Sequence, residues 1–578
     1  MEYKELDTYF KLRFEELLNK RTPDSYRVRH HNVLSILSEL CELIDGWREH
    51  RILSPETVVL CGKECIKLLE KDLWLDFSFY DKDMLIEDIK KYIDLIPKNK
   101  DNRGVAFEIS DKLKYSCCKC VDINSTTYAS AILTFIIDKI AKSGDMDKDK
   151  AYVKVMDEFD NAVVCLCKEF IRLGYSKNYL YKKAEELLQG NISIKDLKTK
   201  LLNRMPVNYS VNYKIRSNSY IGLCKNPFGF VEELRELKQS MTTKRGDVYH
   251  KSFFNNAGFL FKSFEVEALD PYAAVIKSKA KLGLMLDTLF LGNDVNAGQF
   301  ASKVLVTHKI SEDRSWGDLL DFNYQLDGTY ESEPQQAVVL EKKVNDVLNN
   351  TLIKDDVKER LKSALRHLRM ANESRDIELR FINYWIALEF IFSSPVSNEH
   401  TYGRLNKHLV NILCASYIGR NVSYLDTLLI ADGSLEKGKT LSNLTEKEWG
   451  QLIDKVADRR TQYRLCKMKS HLHSKENIEA YLKAHKENLE WHLARIYRMR
   501  NELIHEAAIK QDIEGISSNL RFYLVFLLNQ IIDFFDGTAF PVGMNDFFHH
   551  YENIVNVLFS KKERGQVLRK NYETSIIS

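Results

Sequence analysis

The segment from Ser474 to Ala508, SKENIEAYLKAHKENLEWHLARIYRMRNELIHEAA, contains neither glycine nor proline. Its apolar residues Leu482, Leu489, Leu493, Ile496, Leu503, Ile504 and Ala507 recur near the helical period. Ser474, three residues before Asn477, is placed to cap the first turn. So long a helix needs packing partners along most of its length. The rest of the chain agrees with a helical architecture: 578 residues hold only 24 glycines and 9 prolines. The reading is a mainly α protein in which long helices with short connections form an up-and-down bundle.

Character shifts along the chain divide it into three. Residues 1–204 show helical periodicity, as in Val33, Leu34, Ile36, Leu37, Leu40 and Leu43, and again over Tyr128 to Ala141 and Val153 to Leu173. Ser176 is read as the cap of a further helix. Residues 205–330 change to strand-forming runs, VNYSVNYKI, FLFKSFEVEAL and ASKVLVTHKI. Between the last two lies a helix with Asp270 as its cap, Pro271 at the first position and Gly292 at its end. This is a small central α/β module. Residues 331–578 return to helices, including IELRFINYWIALEFIF and RFYLVFLLNQIIDFF, and are read as a C-terminal helical bundle with a tail.

Composition narrows the function classes. A net charge of +3 gives no bulk case for nucleic-acid binding, so any such case must be local. No uninterrupted apolar run reaches the length of a membrane span, and the charged N-terminus is unlike a signal peptide. The expected location is the cytoplasm. Cys117, Cys118 and Cys120 in YSCCKCVD lack the paired C-x-x-C units or nearby histidines of a zinc site, so they are read as reduced thiols. No metal and no cofactor is expected. Phosphate-binding glycine loops, H-E-x-x-H and G-x-S-x-G are all missing from the sequence.

Arg500 interrupts the apolar stripe of the long helix, where leucine would be expected. A guanidinium there must find an internal acceptor, such as Glu389, or face a cleft. Asn501 and His505, four residues apart, share a helix face. Arg500 and His505 stand about 140° apart around the axis, within reach of a long arginine side chain. A histidine can exchange the proton of a ribose 2′-hydroxyl or of a leaving 5′-oxygen. An arginine can hold the phosphate and stabilise its transition state. Such chemistry needs no metal.

The run RIYRMRNELIHE resembles the signature of HEPN domains, helical nucleases with R-(polar)-x3-to-5-H. The helix RFINYWIALEFIF, with Arg380, Phe381, Trp385, Ala387, Leu388 and Glu389, resembles that of the Apea-like HEPN group. The resemblance covers about 335–555. It implies a ribonuclease with Arg500, Asn501 and His505 in the site, RNA as partner, and a homodimer whose two motifs form one composite centre. By analogy it also implies a role in prokaryotic anti-phage defence or abortive infection, with the N-terminal region sensing a trigger. The alternative is a non-catalytic HEPN scaffold for dimerisation or nucleotide or RNA binding.

Spacing alone carries little weight. Arg245 to His250 repeats it at a glycine-containing turn, and Arg360 to His367 and Arg464 to His471 come close. Arg495 and Arg498 are weaker candidates for substrate phosphates, with solvated charges as the simpler reading. The strip DRRTQYRLCKMKSHLH, with Arg464 and Lys467, is the best local RNA-binding candidate. Trp385 is read as core.

Overall fold

The computed structural model describes residues 4–560, apart from 53, 97–106, 143–149, 217–224, 226–227, 243–246, 256–257, 292–299, 312–313, 323–325, 329–333, 394–399 and 506–512. Among the described residues the N-terminal lobe is built from the α-helices α1 (Lys4–Leu18), α2 (Val33–Arg48), α3 (Pro55–Lys71), α4 (Lys82–Leu95), α5 (Phe107–Asn124), α6 (Tyr128–Lys142), α7 (Lys150–Arg172) and α8 (Lys177–Leu188). Asn32 starts α2 through a reciprocal capping box with Ser35. Its side-chain amide also donates to buried Glu169 at 2.7 Å, so one residue both begins a helix and ties it to α7. Ser176 caps α8 as the sequence implies, accepting from the Tyr179 amide at 3.2 Å. Cys117 and Cys120 are buried in this lobe, while exposed Cys118 meets Cys41 at 3.6 Å.

The central module is an antiparallel sheet in the order β2-β1-β3-β4, formed by β1 (Val207–Arg216), β2 (Phe259–Ala268), β3 (Lys303–Ser311) and β4 (Arg314–Asp321). The three strand-like runs become β1 to β3. β4, RSWGDLLD, was not foreseen. Its Gly317 sits opposite Thr307, where an added Cβ would come within 2.7 Å of the Thr307 methyl group and 3.0 Å of the Val306 carbonyl. The register therefore requires a residue that sequence patterning reads as a strand breaker.

Helix α9 (Pro271–Leu291) packs on this sheet and begins as expected. Fully buried Asp270 accepts from the amides of Tyr272 and Ala273, both at 2.9 Å. The same carboxylate accepts from the amide and hydroxyl of Ser176, each at 2.7 Å. One side chain thus caps α9 and fixes the start of α8. The expected terminator, Gly292, lies outside the described residues.

The C-terminal half comprises α10 (Pro334–Asn349), α11 (Asp355–Glu373), α12 (Ile377–Phe392), α13 (Thr401–Ala431), α14 (Glu446–Lys455), α15 (Arg459–His471), α16 (Lys475–His505), α17 (Ile513–Phe535) and α18 (Met544–Ser560). α16 is the long helix read from the sequence, and Ser474 caps it by accepting from the Asn477 amide at 3.2 Å. Its stripe is buried at Leu482, Leu489, Leu493, Ile496 and Leu503, but Ile504 is exposed. The hydrophobic clusters cross the sequence boundaries: Tyr463 joins the N-terminal core and Leu326 the C-terminal one. No single helix among the described residues is long and apolar enough to cross a membrane.

Replacing Asp270 by alanine removes the cap of α9 and strands the buried Ser176 donors. The expected cost is about 3 kcal/mol, read as faster hydrogen exchange at the Tyr272, Ala273 and Ser176 amides. Unchanged protection there would show that Asp270 does not hold this junction.

Candidate functional site

The last turns of α16 lie against α12, so Arg500 approaches the helix that carries Trp385 and Glu389. Its side chain is about one quarter exposed (24%), neither core nor free surface. Nη2 lies 3.5 Å from Glu389 Oε1, and Nη1 donates to Asn501 Oδ1 at 3.1 Å. Nε is buried without an acceptor. This is a loosely held guanidinium, since good charge-assisted bonds close to about 2.8 Å. Trp385 is core, 1% exposed, with its ring 5.7 Å from Tyr497. His505 is the last residue of α16, and its side chain lies outside the described residues.

The other cations proposed for RNA face inward. Arg495 is 6% exposed and donates to both oxygens of Glu39, with Nε at 3.0 Å from each, and to Glu64 at 2.7 Å. Arg498 also bonds Glu39 and lies 3.6 Å from Glu502. His31 Nε2 stands 3.1 Å from Glu39. Burial alone would raise the Glu39 carboxyl, but Arg495 and Arg498 hold it well below the usual carboxylate range. Burial and then Arg495 push His31 down to about 3. The expectation of phosphate-facing or solvated Arg495 and Arg498 is therefore corrected: α2 and α3 of the N-terminal lobe supply their counter-ions.

The same holds for the basic strip on α15. Arg464 meets Glu16 at 2.7 Å and Asp24 at 3.0 Å, and Lys467 meets Asp157 at 2.6 Å. Arg459 pairs with Glu5 at 2.8 Å. Glu16 and Asp24 also bind Arg13, which reaches Asp160 at 2.7 Å, and Arg27 approaches Asp160 at 3.0 Å. Against the upward push of burial, Arg13 and Arg27 bring Asp160 down to about 2. Arg464 and Lys467 are thus interface cations in this arrangement, not a solvent-facing strip.

The similar spacings resolve differently. Arg360 donates to the Ile391 carbonyl at 2.8 Å at the end of α12, and His367 contacts Asn383 at 2.9 Å. His471 stacks on Tyr481. Arg245 lies outside the described residues, while His250 has a positive φ of 55° and a ring nitrogen 3.0 Å from the Gly317 carbonyl.

Sequence reasoning missed Glu39, Glu64, His31 and His492. His492 is buried between Tyr523 (3.0 Å) and Asn519 (2.9 Å), and burial keeps it well below its ordinary pKa. The signal was the one that exposed Arg500: Glu39 interrupts the apolar stripe Ile36, Leu40, Leu43 of α2. Comparison with known protein families, curated proteins and solved structures returned no match.

Arg495→Met should cost about 3–5 kcal/mol in urea unfolding, because Glu39 and Glu64 would lose their buried cation. Adding Glu39→Gln and Glu64→Gln should recover part of that loss. Parent-like stability of Arg495→Met would refute the clamp.

Acid should weaken the protein for two reasons with the same sign. His31 and His485, both pushed down to about 3 by burial, refuse protons that the unfolded chain accepts below about 6.5. Their contribution is complete above that pH and declines as pH falls, each by up to about 1.4 kcal/mol per unit. The contributions of Glu39 and Asp160 are present above about 4 and are lost as pH falls further towards their folded values. Urea midpoints should drop from pH 7 to pH 5 and faster below pH 4; a flat profile would contradict this.

Proposed function

We propose that this protein is a metal-independent endoribonuclease of HEPN type, acting in prokaryotic anti-phage defence or abortive infection. The observation that supports this best is Arg500: a partly exposed guanidinium with an unsatisfied Nε, weakly engaged by Asn501 and Glu389, five residues before His505 on the same helix. A phosphate would be a stronger partner than either.

In the proposed reaction His505 takes the proton of a ribose 2′-hydroxyl, and that oxygen bonds to the adjacent phosphorus. Arg500 stabilises the added charge on the phosphoryl oxygens. The bond from phosphorus to the 5′-oxygen then breaks, and that oxygen receives a proton from the histidine of a second copy. The products are a 2′,3′-cyclic phosphate and a 5′-hydroxyl end. Two copies sharing one centre explain how one histidine per chain serves both proton transfers.

A second reading, a non-catalytic scaffold for dimerisation or RNA or nucleotide binding, is favoured by the Arg500–Glu389 contact, which occupies part of the guanidinium. Incubation of purified protein with total RNA separates the two. Arg500→Ala and His505→Ala should each slow cleavage at least about 100-fold without altering the dimer. EDTA should leave the rate unchanged, and fragment ends should carry cyclic phosphate. If both variants cut RNA like the parent, the catalytic reading fails.

A further inference from the structure

The buried arginines of the lobe interface share one property: Arg13, Arg464, Arg495 and Arg498 each have a carboxylate partner. Arg420 on α13 is different. Its Nε is buried without an acceptor, and among the described residues no carboxylate lies within ion-pair distance. What surrounds it is aromatic. The guanidinium lies 4.6 Å from the ring centre of Phe526 and 5.5 Å from that of Phe522, both on α17. Beside it, Tyr417 stacks on His485 of α16 at 3.5 Å between ring centres. Tyr26, from the 3-10 turn Pro23–Arg29, lies close enough to act on Arg420 electrostatically.

Exposure makes this an open seam and not a sealed core. Arg420 is itself only half-buried, and Phe522 is 45% and Tyr26 36% exposed. Burial lowers the arginine's pKa. Aromatic faces offset part of the cost of burial but accept no hydrogen bond from Nε in the guanidinium plane. A ligand suited to this seam brings an anion to the guanidinium and a flat ring to the exposed aromatic residues.

We propose that the seam between Tyr26 and Phe522 binds a nucleoside phosphate, the phosphate on Arg420 and the base against the exposed aromatic rings. Arginine with aromatic platforms is the combination by which single-stranded nucleic acids are held without reading sequence. The nucleoside phosphate belongs either to an RNA strand or to a free nucleotide. Along α16, His485 and Arg500 are about 22 Å apart by helical rise, so an RNA strand touching both would span several nucleotides. The site does not depend on cleavage by Arg500 and His505.

The test uses the full-length protein and a fluorescent 2′-O-methyl octauridylate, which lacks the hydroxyl needed for self-cleavage, with AMP as the second probe. Fluorescence polarisation should show binding by the parent. Arg420→Met, which keeps the packed stem, and Phe522→Ala should each weaken it on the order of ten-fold, with Arg420→Lys in between. Binding of the oligonucleotide without competition from AMP assigns the seam to RNA; efficient competition assigns it to a free nucleotide. The proposal is overturned if the parent binds neither probe, or if folded variants bind like the parent. Should Arg420→Met fail to fold, the surface variant Phe522→Ala decides. Loss of cleavage in Arg500→Ala with oligonucleotide binding retained would keep this site distinct from the catalytic reading.

Discussion

Arg495 is the residue on which the arrangement of the two helical halves turns. It leaves α16 of the C-terminal bundle and is enclosed by Glu39 of α2 and Glu64 of α3. Ion pairs so deeply buried gain little net free energy, because the desolvation of each charge offsets much of the attraction. Their effect is on geometry. A guanidinium held by four bonds to two carboxylates tolerates little sliding or rotation. The helix that ends in Arg500 and His505 is thereby set against α2 and α3.

A second layer, Arg464 and Lys467 against Glu16, Asp24 and Asp157, repeats the device on α15. The distribution of charge follows. The chain is nearly neutral overall, and much of its most concentrated positive charge is consumed between its own parts. What remains unmatched is informative for that reason. Arg420, among aromatic rings, and Arg500, with its distant carboxylate, are two of the four arginines among the described residues whose buried Nε lacks an acceptor, Arg29 and Arg521 being the others.

Local patterning carried a good deal of this fold. The alternation of VNYSVNYKI, FLFKSFEVEAL and ASKVLVTHKI became three strands, and Asp270 and Pro271 began a helix as their chemistry requires. β4 escaped because Gly317 answers to the neighbouring strand, a demand invisible in its own segment. At the site, Arg500 was legible as a break in an apolar stripe, and Glu389 was within reach as its partner. Arg495 and Arg498 were not. Their partner Glu39 lies 456 and 459 residues away along the chain, and no local pattern distinguishes a cation bound for a distant carboxylate from one bound for water.

That sequence separation also governs how the chain is made. Synthesis delivers the N-terminal helices long before α16, and Tyr463, which completes their apolar core, arrives late as well. At ordinary translation speeds the ribosome needs on the order of 15 to 60 s to pass from the end of the first lobe to residue 505. Throughout that interval Glu39 and Glu64 face water or one another, and the surface that will receive α16 stays open. The emerging lobe is an unfinished socket. Its closure coincides with the emergence of Arg500 and His505, so the helix end that carries them is set in place as it appears.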